Sequence, residues 1–241
     1  MAVDEMLLEW SEQSGGCCWR FYRWQPPTLS LGYFQVYEAR LGHPASLGCP
    51  AVRRPSGGGA ILHDRELTYS LVVPRSHRLA ARRRLLYETV HNSLIEVLSG
   101  AGIRARLCGG PEWRGHAPEP FLCFQRRAAG DVLVGPVKIA GSAQRRTRGA
   151  VLQHGSVLLA RSTAAPELDG LAEAAGTPIP REQLAGDWLD RLAERMALAW
   201  RQEPLSDGER DRAAVLARDK YGSDRWTRHR GRGEPGPPYP T

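Results

Sequence analysis

Lysine is nearly missing from this 241-residue chain: of 33 basic side chains, only Lys138 and Lys220 are not arginine. Arginine keeps its proton at any ordinary pH, whereas a desolvated lysine can give its proton up. The two lysines are therefore the first positions to inspect for proton exchange. No apolar run approaches the ~20 residues that cross a bilayer, which excludes a helical membrane protein. The opening Met1-Ala2-Val3-Asp4-Glu5 carries acids early and no basic stretch, so no secretory signal is expected. There is no CxxC among the five cysteines, Cys17, Cys18, Cys49, Cys108 and Cys123, and their number is odd. That argues against a disulfide framework and against a zinc site, so no metal is expected and a cytoplasmic setting fits best. The phosphate-loop pattern G-x-x-x-x-G-K-S/T is absent, as are zinc-finger spacings and a glycine–aromatic RNA-binding signature.

What is present is ordinary for a globular chain: 41% hydrophobic and 24% charged residues, with 33 basic against 26 acidic side chains for a net charge of +7. A chain of this length buries roughly 70–75% of its unfolded surface and needs no staples. The scattered positive charge gives solubility, or steers an acidic partner. Nucleic acid is not expected as a partner, since nothing beyond the charge points to it, and neither is a membrane.

Helical spacing is seen over 4–13, with Met6, Leu7 and Trp10, and most clearly over 82–99, where Leu86, Val90, Leu94 and Leu98 form one stripe ended by Gly100 and Gly102. Further helices are expected over 188–200 and 207–219. Strand patterns cover 18–24, 29–34, 51–54, 60–64, 67–73, 103–107, 131–134, 137–143 and 150–159, with a Gly/Pro-rich loop over 108–120. Short-looped strand runs favour an α+β fold with a mixed, largely antiparallel sheet flanked by helices over a doubly wound parallel one. No composition break divides the chain. One domain is expected over 1–226, followed by a disordered Gly/Pro/Arg-rich tail over 227–241.

Three segments could carry chemistry. Arg53-Arg54-Pro55-Ser56-Gly57-Gly58-Gly59 puts three glycines between strands, where backbone amides can approach a ligand and hold an anion or oxyanion; an unliganded hairpin loop would look the same. Val137-Lys138-Ile139-Ala140-Gly141-Ser142-Ala143 places a lysine in a strand of small residues. Period-2 alternation sends Lys138, Ala140 and Ser142 to one face and Ile139, Gly141 and Ala143 to the other. Desolvation there would fit Lys138 for proton transfer, unless it snorkels to solvent from an edge strand. Cys123, in Phe121-Leu122-Cys123-Phe124, could attack an acyl group, although free cysteines mostly serve as small buried hydrophobes.

In order, RRPSGGGAILHDRELTYSLVVP, CF, KIAGSAQRR and LQHGSVLL resemble the lipoate–protein ligase and octanoyltransferase family, which is related to the biotin protein ligases. The resemblance covers roughly 1–225, including RFYRWQPPTLSLGYFQ near the start and the Lys220–Trp226 segment near the end. It implies the catalytic-domain fold of that family. Ligases of the family usually carry an asparagine–aspartate pair ahead of the lysine, where this chain has Cys123-Phe124, and an added C-terminal domain. The resemblance therefore implies the cysteine-dependent branch: octanoyl transfer from octanoyl-acyl carrier protein to a lipoyl-domain lysine, through a thioester on Cys123, with Lys138 taking the thiol proton. No cofactor would be required. Separately, a monomer is expected. Arg54, Gly57, Gly58, Gly59, His63, Ala140, Gly141, Ser142 and Ala143 would line the substrate pocket. An amidotransferase moving octanoyl between lipoyl-domain proteins is the alternative with the same dyad. An ATP- and Mg-dependent lipoate ligase is the other, and there Cys123 would be dispensable. Gly135-Pro136 ahead of the lysine and the 125–130 loop depart from the family pattern.

Overall fold

The computed structural model describes residues 1–110 and 119–231. Among these described residues nine strands form two sheets. The larger is antiparallel throughout, in the order β1 (Cys18–Tyr22), β5 (Glu66–Pro74), β9 (Ala150–Leu158), β8 (Val137–Arg146), β7 (Val132–Val134) and β6 (Ala105–Leu107). In the smaller, β2 (Thr28–Leu31) runs parallel to β3 (Ala51–Arg53) and antiparallel to β4 (Ile61–His63). This is the α+β architecture with a mixed, mainly antiparallel sheet content expected from the short-looped strand pattern.

The central strands β5 and β9 are buried along their whole length because both faces are covered. On one face Leu67, Tyr69, Leu71 and Val73 meet α2 (Arg83–Gly100) and α4 (Arg181–Met196). The helix stripe seen in the sequence, Leu86, Val90, Leu94 and Leu98, is fully covered here. Each such side chain contributes ~1.5–3 kcal/mol of burial. A second stripe, Leu184, Trp188, Leu192 and Met196, explains why α4 starts seven residues before the expected 188 and stops at 196. Trp200, at the end of the expected 188–200 helix, is half exposed beyond the helix end. Trp188 also donates its indole N–H to Ser93 Oγ at 2.9 Å, tying α4 to α2.

The other face of the large sheet is divided. At one end α1 (Ala2–Ser14) and α5 (Asp207–Leu216) pack Met6, Leu7, Leu8 and Leu216 against Val72 and Leu152. At the other, the small sheet brings Leu29, Leu31 and Leu62 together with Leu122. Between these apolar patches lie buried polar side chains, Thr68, Ser70, His154 and Ser156. Residues 217–219, the end of the expected 207–219 helix, belong instead to a wider turn over Ala217–Tyr221, closed by the Gly222 amide on the Ala217 carbonyl at 2.7 Å. Short helices α3 (Leu171–Ala175) and α6 (Asp224–Thr227) had no clear sequence signal.

Order continues past residue 226. Thr227 is buried and its carbonyl accepts from Arg53 Nε at 2.8 Å, while Trp226 Nε1 donates to the Arg53 carbonyl at 2.9 Å. Residues 232–241 of the expected tail, and 111–118 of the expected loop, lie outside the described residues. Among the described residues no helix is long and apolar enough to cross a membrane.

Candidate active site

The glycine loop and Cys123 arrive from distant parts of the chain and are joined by backbone. The Ala60 amide donates to the Phe121 carbonyl at 3.0 Å and the Cys123 amide to the Ala60 carbonyl at 2.7 Å. This parallel bridge sets the start of the short turn Cys123–Gln125 against the end of the loop. The fit is tight: a Cβ on Gly59 would stand 3.1 Å from Cys123 Cα. Gly58 sits at φ +96°, and its carbonyl fills the space where a Cβ on Gly32 would lie, so both positions require glycine.

Lys138 comes to the same place from β8. Its Nζ lies 3.9 Å from Cys123 Sγ and 3.3 Å from the Cys123 carbonyl, with the Phe124 ring centroid at 5.3 Å. It also forms an ion pair with Asp131 at 2.7 Å, and both side chains are only 3% exposed. Asp131 accepts in addition from Tyr87 Oη at 3.1 Å and from the Ala128 amide at 2.7 Å. A buried pair of this kind is tolerable only because the carboxylate's remaining lone pairs are satisfied. Burial, with Asp131 adding to it, raises the Tyr87 hydroxyl well above the usual range, so Tyr87 stays a donor.

A bulge corrects the expected facing of β8. Val132 pairs with Ala140 but Leu133 pairs with Lys138, so Ile139 is an extra residue on β8. Strict alternation therefore fails at this point. Ile139 and Ala140 both enter the main core, and Gly141, not Ala140, comes up beside Lys138, where its Cβ would meet Lys138 Cε at 2.8 Å. Ser142 likewise faces the core, within 2.5 Å of both Tyr69 Oη and His91 Nε2. Ala143 pairs with His154 on the Gly141 side of the sheet.

Two other expected pocket residues are committed elsewhere. Arg54 is buried and gives its guanidinium to the carbonyls of Ser30 (2.9 Å), Gly57 (3.0 Å) and Gly59 (2.6 Å). Burial lowers its pKa to about 10, opposed by Cys123, so it remains a cation that shapes the loop. His63 stacks on Trp24 at 4.5 Å and pairs through Nδ1 with Glu66 at 2.5 Å; among the described residues no bond joins it to Cys123 or Lys138.

Asp131 was not singled out from the sequence, yet a signal existed. The tight Val134-Gly135-Pro136-Val137 connection makes β7 and β8 a hairpin, and counting back from it puts Asp131 beside the start of β8. Ser56, His154 and Asp4 had no comparable signal, since they come from three separate elements. Among the described residues, no group of His, Cys, Asp and Glu could hold a metal ion.

The lipoyl protein ligase A/B catalytic domain matches residues 1–172. An octanoyltransferase LipM of Geobacillus kaustophilus is 40% identical over 167 residues, 66% of this chain but 60% of that protein, so the match spans less than two thirds of that relative's length. LipM of Kyrpidia tusciae is 35% identical over 257 residues, covering 94% of this chain and 92% of its own. Among solved structures, the bipartite lipoate protein ligase of Thermoplasma acidophilum, described with its E2 lipoyl domain, superposes with TM-score 0.74 at 21% identity over 97% of this chain and 92% of that one. A lipoate-protein ligase A bound with ATP gives 0.73 at 22% identity over 94% and 91%. At such identities the two structures speak for the fold alone. Descent is decided by the domain match over most of the chain and by a relative aligned nearly end to end: the chain belongs to the lipoyl protein ligase A/B catalytic domain family.

Proposed function

We propose that this chain is an octanoyltransferase of lipoate biosynthesis, moving octanoyl from an acyl carrier protein to a lipoyl-domain lysine through a thioester on Cys123. The observation that carries the reading is the position of Lys138 Nζ, 2.7 Å from Asp131 and 3.9 Å from Cys123 Sγ. The names of the LipM relatives supply the acyl group, and the archaeal ligase described with an E2 lipoyl domain supports the acceptor class.

The ion pair alters the role expected for Lys138. An ammonium has no lone pair, so while paired with Asp131 Lys138 cannot accept the thiol proton, which passes to solvent, and it faces the resulting thiolate as a counter-cation. The thiolate attacks the donor thioester, and Lys138 protonates the departing carrier thiolate. Lys138 is then a neutral amine. When the acceptor lysine attacks the acyl-enzyme, Lys138 takes its proton as the Cys123 thiolate leaves, and the ion pair with Asp131 is restored. A positioned acid–base group of this kind contributes ~10²–10⁴-fold. Thioester to amide runs downhill, so neither ATP nor a metal is called for. The +7 net charge favours encounter with acidic carrier and lipoyl proteins.

The test is intact-mass measurement after mixing the protein with octanoyl-acyl carrier protein in the absence of ATP, with Cys123→Ala alongside. A hydroxylamine-labile octanoyl adduct on the unmodified protein and none on Cys123→Ala is expected. Lipoyl-domain modification that needs ATP and free acid, with Cys123→Ala fully active, would overturn the reading in favour of a ligase.

A further inference from the structure

A second buried chain of polar groups lies on the same face of the large sheet and takes no part in the chemistry above. Asp4 Oδ2 is 3.3 Å from His154 Nδ1, and His154 Nε2 is 2.5 Å from Ser56 Oγ. The residues come from α1, β9 and the glycine loop, and none is more than 5% exposed. Asp4 also receives Arg20 Nη2 at 2.5 Å, Tyr22 Oη at 3.3 Å and the N-terminal ammonium at 3.8 Å. These cations and the His154 bond hold its carboxyl ionised, well below the usual range, against burial. Burial keeps His154 neutral, opposed by Asp4.

Those charge states fix the direction of the bonds. A carboxylate only accepts, so His154 carries its proton on Nδ1 and donates it to Asp4. Nε2 then accepts, and Ser56 must donate to it. Ser56 is anchored at its backbone as well: its carbonyl takes the Tyr33 amide at 2.9 Å, and the Pro55 carbonyl takes Arg145 Nη1 at 3.1 Å. Immediately after this anchored serine come Gly57, Gly58 and Gly59, whose amides donate to no acceptor among the described residues. Arg54 draws the Gly57 carbonyl toward itself, and in a trans peptide the next N–H points the opposite way. The Gly58 amide is thus turned away from Arg54 and left available, in a loop whose end lies against Cys123.

We infer that Asp4, His154 and Ser56 form a positioning relay. They fix the glycine loop so that its free amides, Gly58 foremost, hold the oxyanion that forms when the Cys123 thioester is made and broken. This rests on the acyl-transfer reading. It makes the first helix of the chain a working part of the site.

The test compares two reactions of Cys123 in the same protein. Acylation by octanoyl-acyl carrier protein passes through a tetrahedral oxyanion. Alkylation by iodoacetamide displaces iodide at a saturated carbon and forms none. Both rates are read at the Cys123 peptide by mass spectrometry in the unmodified protein and in Ser56→Ala. Ser56→Ala is expected to slow acylation ~10²-fold, the scale of one mispositioned oxyanion donor, and to leave alkylation within about twofold. If Ser56→Ala does not fold, His154→Gln replaces it, and the same selective loss is expected. Equal acylation in variant and unmodified protein overturns the relay, as does an equal slowing of both reactions, which would mean general loosening of the site. Failure of the unmodified protein to acylate at all, while alkylating normally, instead overturns the acyl-transfer reading on which the relay rests.

Discussion

Replacing Asp131 by asparagine keeps the shape of the side chain and removes the charge facing Lys138. The ion pair is 2.7 Å long and both partners are 3% exposed, so water screens it little. Removing one partner of such a pair costs ~3–5 kcal/mol, because the other charge is stranded. The asparagine carbonyl replaces only one of the two carboxylate oxygens, which accept separately from Tyr87 and from the Ala128 amide, so the expected loss is about 3 kcal/mol or more. For a domain of this size that lowers the melting temperature by roughly 6–12 °C. The companion variant Lys138→Met removes the ammonium, and the double variant removes both charges. Stability of the double variant is expected to recover toward that of the unmodified protein, since no unpaired charge remains, giving a coupling of ~2–3 kcal/mol in the cycle. Acylation is not expected to recover: both single variants and the double variant should load octanoyl on Cys123 at least ~10²-fold more slowly. Calorimetry gives the first quantity and timed intact-mass measurement the second. Additive stability changes, or an Asp131→Asn protein that acylates at the normal rate, would refute the assignment of Lys138 as an ammonium held by Asp131.

Gly59→Ala would put a methyl group 3.1 Å from Cys123 Cα and from the Arg126 guanidinium. Arg126 can move but the Cys123 backbone cannot, so acylation should fall ~10–10²-fold with the circular dichroism spectrum unchanged; full activity would show that the loop can retreat. His91 is buried and its pKa is pushed down to about 4, chiefly by burial. The unfolded chain binds that proton near pH 6.5, so the stability from neutral His91 is complete above pH 6.5 and is lost as pH falls toward 4. The loss amounts to roughly 3 kcal/mol in denaturant titrations. A His91→Gln protein with the same acid dependence would remove His91 as its source.

The readable parts of the sequence were those where one local rule governs. The α2 stripe, the two long buried strands and the glycine loop between β3 and β4 each follow from a single period or residue type, and each lies within a residue or two of its expected place. The fold class followed from their order. The structure departs from the sequence pattern where tertiary packing overrides the local rule. The extra residue at Ile139 shifted the period of β8, which exchanged Ala140 for Gly141 beside Lys138. Arg54 carried the charge expected of an anion site, but three carbonyls already take its guanidinium. His63 follows the loop in sequence, but the antiparallel course of β4 takes it toward Trp24 and Glu66.

The scarcity of lysine did not by itself find the site, because the chain has two and they sit in different surroundings. Lys220 is a structural cation: its Nζ reaches both Glu5 carboxylate oxygens at 2.9 and 2.6 Å and lies 4.4 Å from the Trp226 ring, holding the end of the fold to α1. Arginine could satisfy such a half-buried carboxylate and stack on the ring as well. At position 138 it could not serve. There the cation is enclosed, faces a sulfur, and under the proposed mechanism must lose its proton to one thiolate and regain it from an amine. Guanidinium would keep the pairing with Asp131 but could not exchange that proton. In a chain that uses arginine almost everywhere, the proposed mechanism thus requires lysine at position 138, whereas the contacts of Lys220 are ones that a guanidinium can also make.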